Sequence, residues 1–202
     1  SYAGAYGSFT VNIGGGVLAT VNTGTNTLGV GKATVTCASG VNTVNITKST
    51  DGFVQIRGVS CYRNNADVQC IVAGWSTMTA LRYLSGGTGT ETPQGPTADI
   101  PQIAPDMTDI CLGINDSTGL VPVEDYRSAM QRIIDVTRVT GDVVLHVPNT
   151  INPAGNPIQD PYWQVVYDLA KANRLNVIDY RERMIDWATA NALGLMSDGR
   201  HP

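Results

Sequence analysis

Near the end of the chain, Asp198-Gly199-Arg200-His201-Pro202 sets a carboxylate three residues ahead of an imidazole, just past a helix-like run that stops at Gly194. A carboxylate at that spacing can reach the far ring nitrogen of the histidine. It then fixes the tautomer and stabilises the imidazolium that forms when the other nitrogen takes a proton. That is the base half of a nucleophilic hydrolysis; read alone, the same pattern also fits a solvated loop. Asn115 lies in Leu112-Gly113-Ile114-Asn115-Asp116, directly after a strand-like apolar run. Its side-chain amide could donate to a developing oxyanion, or bond its own backbone as loop asparagines do. Gly74 closes the run Val68-Gln69-Cys70-Ile71-Val72-Ala73. Its bare backbone N–H could point into the same site, or the glycine could serve only a tight strand-to-helix turn. Asp116 reads as a loop-ordering or capping group rather than a second acid. His146, at the end of an apolar strand, reads as a satisfied core histidine. Trp75, Trp163 and Trp187 read as core or pocket wall.

These residues need a scaffold, and the hydrophobic period supplies one. From residue 65 onward, strand-like runs at 67–72, 108–112, 142–147 and 175–179 alternate with helical ones. A helix is expected from Ser76, as its N-cap, to about Leu84. A second, over about 123–139, places Val123, Tyr126, Met130, Ile133, Ile134 and Val139 on or near one face. A third, over about 161–173, has Asp160 as N-cap and Pro161 at its first position. A fourth runs over about 181–193, with Gly194 as its stop. Such alternation argues for an α/β fold with a parallel, doubly wound sheet, whose carboxyl edge is where ligands bind. Residues 85–106 read as a long irregular segment near that edge. Residues 1–64 differ. They are rich in Gly, Thr, Asn, Val and Ser, and alternate over Ser8–Ile13, Ala33–Cys37, Asn42–Thr47 and Phe53–Val59 between turn signals such as Gly14-Gly15-Gly16. That pattern predicts a small antiparallel β-sandwich. The expected domains are therefore 1–64 and 65–202.

Composition narrows the partners. The chain has 202 residues and a net charge of −4, with no basic cluster, so nucleic acid is not an expected partner. No apolar run is long enough to span a bilayer, and Ser1-Tyr2-Ala3-Gly4 does not read as a signal peptide. The four cysteines, Cys37, Cys61, Cys70 and Cys111, form no C-x-x-C or Cys/His cluster. A zinc site is therefore not expected; three of the four sit in strand-like apolar stretches, where buried free Cys is common, and reduced thiols are favoured over a disulfide. Two histidines, His146 and His201, cannot build a polyhistidine metal site. Neither a metal nor an organic cofactor is expected.

Gly74, Gly113-Ile114-Asn115-Asp116 and Asp198-Gly199-Arg200-His201, in that order, resemble three of the four sequence blocks of the SGNH (GDSL-type) hydrolase family, over about residues 66 to 202. The resemblance implies a flavodoxin-like parallel doubly wound sheet and serine ester hydrolysis. His201 would be the base, Asp198 its orienting acid, and Asn115 and Gly74 the oxyanion donors. The fourth block, Gly-Asp-Ser, is absent from this chain. Ser8 opens a strand-like run rather than closing one, Ser60 lies too close ahead of Gly74 for a strand, crossover helix and return, and Ser76 reads as a cap. Some relatives carry a β-sandwich between the family's first and second strands, and this chain resembles one that starts inside such an insertion. The expectation is then an internal or C-terminal piece of a larger hydrolase, with the first strand missing. A second polypeptide segment would supply the nucleophile and the central strand, since an empty central slot leaves two bare strand edges. Relatives with the inserted sandwich imply acetylated carbohydrate as substrate. They also imply an extracellular or virion-associated setting, as in phage tail proteins that deacetylate surface polysaccharide. A homo-oligomer is compatible with this. The rival expectation is a carbohydrate-binding or structural virion module on the same fold, without catalysis.

Overall fold

The structure is a computed structural model, and it describes residues 7–13, 16–22, 34–36, 43–49, 70–72, 77–85, 95–154 and 158–196. The chain divides into two compact units, Ser1–Val72 and Ala73–Pro202.

In the first unit, β1 (Ser8–Ile13) is flanked by β2 (Gly16–Asn22) and β3 (Val44–Lys48) in one antiparallel sheet of order β2-β1-β3. Ile13 pairs with Gly16 where β1 and β2 adjoin, and Gly14 and Gly15 lie outside the described residues. The register shifts between Val11 and Asn12. Of the other expected strands, Phe53–Val59 lies outside the described residues, and Thr34–Thr36 belong to no strand. Among the described residues this unit is one sheet; the second sheet that a sandwich needs is not among them. Residues 70–72, the described part of the expected strand 67–72, join neither sheet and are exposed.

The second unit is α/β. Its parallel sheet, of order β4-β5-β6, comprises β4 (Met107–Ile110), β5 (Asp142–Val147) and β6 (Asn176–Asp179). Parallel neighbours require a crossover. Helix α4 (Val123–Thr137) makes the first and α5 (Asp160–Asn173) the second. Along α4, Tyr126, Ala129, Met130, Ile133, Ile134 and Thr137 are buried, the three-and-four spacing of one helical face. Along β5, Val143, Leu145 and Val147 point into the same core, two residues apart. Tyr162, Val165, Val166 and Leu169 of α5 and Ala80 and Leu84 of α1 (Ala80–Ser85) close it. Fully burying a side chain such as Leu145 stabilises the fold by about 2 kcal/mol.

Several boundaries differ from expectation, each for a local reason. Strand β4 stops at Ile110 rather than 112, because the Leu112 carbonyl leaves the ladder to accept from Tyr126 Oη at 3.0 Å. Helix α1 begins at Ala80, and Thr79 rather than Ser76 stands at its start: Thr79 Oγ1 accepts from the Arg82 amide at 3.3 Å. Helix α4 ends at Thr137, so Val139 lies beyond it and is exposed. At α5 the cap position belongs to Gln159, and Asp160 is in the first turn. The Gln159 side chain is turned away to grip both backbone groups of Ile151, at 3.3 and 3.2 Å. The expected helix 181–193 is two: α6 (Tyr180–Met184) and α7 (Trp187–Ala192). Ile185, at φ 63°, breaks it, and Asp186 caps the second piece by accepting from the Thr189 amide at 2.7 Å. Gly194, at φ +70°, ends α7 as a left-handed stop. The segment 85–106 is not wholly irregular. It contains a 3₁₀ turn, Pro96–Asp99, and α2 (Ile100–Ile103), with Pro96, Thr97 and Ile100 buried. Cys70 and Cys111 are free thiols, as expected, but both residues are exposed rather than buried. Cys37 and Cys61 lie outside the described residues.

Candidate active site

The carboxyl edge of the parallel sheet carries the turn that follows β4. Gly113 sits there at φ +131°, a conformation that L side chains rarely adopt. A Cβ at this position would also lie 2.9 Å from Tyr126 Oη and 3.7 Å from Pro148 Cγ, in the loop that follows β5. Glycine is therefore required twice, by dihedral and by space. The sharp turn starts α3 (Ile114–Thr118), so Asn115 and Asp116 leave the sheet edge side by side.

Both reach the segment ahead of α1. Asn115 Nδ2 donates to the Met78 carbonyl at 3.0 Å. Asp116 Oδ1 accepts from the Ala80 amide at 2.9 Å. Two consecutive side chains thus hold two backbone groups that lie two residues apart, across a sequence separation no local signal would span. An asparagine amide has two N–H donors. With one committed to Met78, the side-chain plane is fixed and the second is left to point elsewhere, which is the pre-organisation an oxyanion donor needs.

Asp116 is fully buried, and its Oδ2 has no hydrogen-bond partner among the described residues. Burial pushes its carboxyl from 3.8 up to about 6, against the lowering effect of the Ala80 amide and its own backbone N–H. The expected loop-ordering role is the one observed, and it is long-range: Asp116 helps cap α1. Behind it the Tyr126 and Tyr162 rings pack at a centroid distance of 5.5 Å. Burial raises both phenols above their ordinary range.

His146 is buried at 7% exposure, as expected, but is only half satisfied. Its Nε2 lies 3.3 Å from Asp109 Oδ1, its ring lies over Tyr180 at 5.3 Å between centroids, and its Nδ1 has no partner among the described residues. Of the four expected site residues, Asn115 is described and stands on the expected sheet edge. Gly74, Asp198 and His201 lie outside the described residues, and so does the expected contact of Asp198 and His201 with Asn115. Met78 and Tyr126, which orient the Asn115 turn, carry no motif that could single them out beforehand. No cluster of three or more metal-binding side chains occurs among the described residues, and no helix among them is long and apolar enough to cross a membrane.

No family model matches this chain. No curated protein matches it either. Three solved structures are similar. Protein YXIM of Bacillus subtilis is 17% identical, with a TM-score of 0.53 over 98% of this chain and 70% of its own. Axe2, an acetylxylan esterase from Geobacillus stearothermophilus solved as a catalytic mutant, is 19% identical, with a TM-score of 0.47 over 63% of this chain and 61% of its own. The acetyl xylan esterase AlAXEase is 20% identical, with a TM-score of 0.44 over 51% of this chain and 62% of its own. The chain thus spans about three fifths of the length of the two esterases. The likeness to YXIM is one of fold, and is compatible with the flavodoxin-like sheet expected from the sequence.

Proposed function

We propose that this chain carries the larger part of an SGNH-type serine ester hydrolase acting on acetylated carbohydrate. The observation that supports it most is the hydrogen bond from Asn115 to the Met78 carbonyl. Met78 follows Gly74 by four residues in the sequence, so this bond supports the reading that the Gly74 block serves the same sheet edge as Asn115. Asn115 and the Gly74 amide would hold the oxyanion, each such donor being worth about 3 kcal/mol in the transition state. His201 would take the proton of a serine supplied by a segment outside this chain and return it to the leaving alkoxide, with Asp198 fixing its tautomer. Water would then cleave the acyl-enzyme by the same base. Acetylxylan esterases among the similar structures act on the same substrate class; the reading rests on the residues and not on that likeness.

The test starts from the encoding gene. A Gly-Asp-Ser stretch upstream, following an apolar strand, is expected, and the complete product should hydrolyse acetyl esters of sugars. Its His201→Ala variant should lose several orders of magnitude in kcat. The 202-residue chain alone should neither turn over esters nor be labelled by serine-directed phosphonates. Labelling of Ser8, Ser60 or Ser76 would show the nucleophile to be in this chain. One observation favours the rival reading, a non-catalytic carbohydrate-binding or structural module: the chain itself has no Gly-Asp-Ser. An inactive complete product across a panel of acetylated sugars would decide for it. An extracellular or virion setting belongs to the same proposal under either reading.

A further inference from the structure

We propose that Asp116 is a positioning residue with a proton-dependent grip: from the turn after β4 it holds the 77–80 segment against Asn115 while its carboxyl is neutral, and the hold weakens when the carboxyl ionises. The geometry carries this. Asp116 and Asn115 grip the segment at adjacent points, Ala80 N at 2.9 Å and Met78 O at 3.0 Å, so a movement at one is felt at the other. Among the described residues only Oδ1 has a hydrogen-bond partner; Oδ2 is buried without one. A neutral carboxyl tolerates that site better than a carboxylate, which loses its hydration and finds only the Ala80 N–H and its own backbone N–H in return.

The groups that meet Asp116 do not compensate the charge. From α1 it faces the Ala80 backbone amide. From α4 and α5 it faces the Tyr126 and Tyr162 phenols, whose titration is raised in part by Asp116 itself. The Cys111 thiol, just past β4, acts on Tyr126. Among the described residues no cation contributes to the carboxyl's environment. The sign follows. A carboxyl that titrates at about 6 when gripped and near its ordinary 3.8 when released favours the closed segment most in acid. Opening becomes easier from about pH 4 up to about pH 6, by roughly a hundredfold, and is level above that. The grip itself stands on these contacts; its meaning for catalysis rests on the proposed function, since the held segment follows Gly74.

Amide hydrogen exchange of the 202-residue chain reads the grip without any ester hydrolysis, so this inference and the proposed function can fail separately. Each rate is divided by the intrinsic rate at the same pH. The Ala80 amide should lose roughly a hundredfold of protection between pH 4 and pH 6.5, and the Asn115 side-chain amide resonance should shift as the Asp116 carboxyl titrates at about 6. Asp116→Asn keeps an oxygen acceptor for Ala80 but does not titrate, and should remove both pH steps. Ala80 protection that is independent of pH in the unaltered chain would overturn the proposal. So would a step shared equally by the Ile133 and Ile134 amides of α4, which would mean global unfolding. An Asn115 resonance that stays still while Ala80 responds would reduce Asp116 to a plain cap of α1, and would overturn the positioning role.

Discussion

Gly113 concentrates several constraints in one residue. Its φ of +131° and the nearby Tyr126 hydroxyl exclude a Cβ, and its turn aims Asn115 and Asp116 at the segment ahead of α1. Gly113→Ala should therefore destabilise the chain by about 2 kcal/mol or more, measurable by urea unfolding. The damage should extend beyond stability: Ala80 amide protection should fall along with it. Unchanged stability would mean that the turn adopts its shape without needing glycine. The Gly-x-Asn-Asp pattern made this turn legible in the sequence. The partners of Asn115 and Asp116 were not legible, because Met78 and Ala80 contribute backbone groups, which any residue type carries.

Among the elements, those with one uninterrupted period were readable almost to their ends. The stripe from Tyr126 to Thr137 and the alternation of Val143, Leu145 and Val147 each face a single core. The run 181–193 misleads for a physical reason: Met184, Ile185 and Trp187 continue an apolar pattern across a break. There a cap prevails over periodicity. Asp186 takes the Thr189 amide at 2.7 Å and the Thr189 hydroxyl at 3.1 Å, and starts a new helix. These bonds, the backbone one first, hold its carboxyl below the ordinary value. A lowered carboxyl supports its helix above the ordinary pKa and withdraws that support as the pH falls through the folded value. The Thr189 and Ala190 amides should accordingly lose exchange protection in acid, and Asp186→Ala should bring the same loss at pH 7. Protection in α5 should stay unchanged in both cases. If Asp186→Ala leaves Thr189 as protected as before, the cap does not start the helix.

For the whole molecule, the change in hydrophobic period along the chain made an antiparallel part and an α/β part legible. The blocks that resemble the hydrolase family were legible only as an ordered set of short motifs, and of their expected site residues Asn115 alone falls among the described residues. The arrangement of β4 bears on something other than catalysis, namely how crowded copies behave in solution. Among the described residues β4 has one bonded neighbour, β5, so its outer rim is a template on which another chain could build. Met107 is 59% exposed on that strand, while the Asp109 side chain, 52% exposed, sets a negative charge beside it. A charge at Asp109 would disfavour rim-to-rim stacking. Asp109→Val should raise light scattering steeply with concentration at pH 7 and leave dilute samples monodisperse. Equal scattering from both proteins would mean that the rim is already covered.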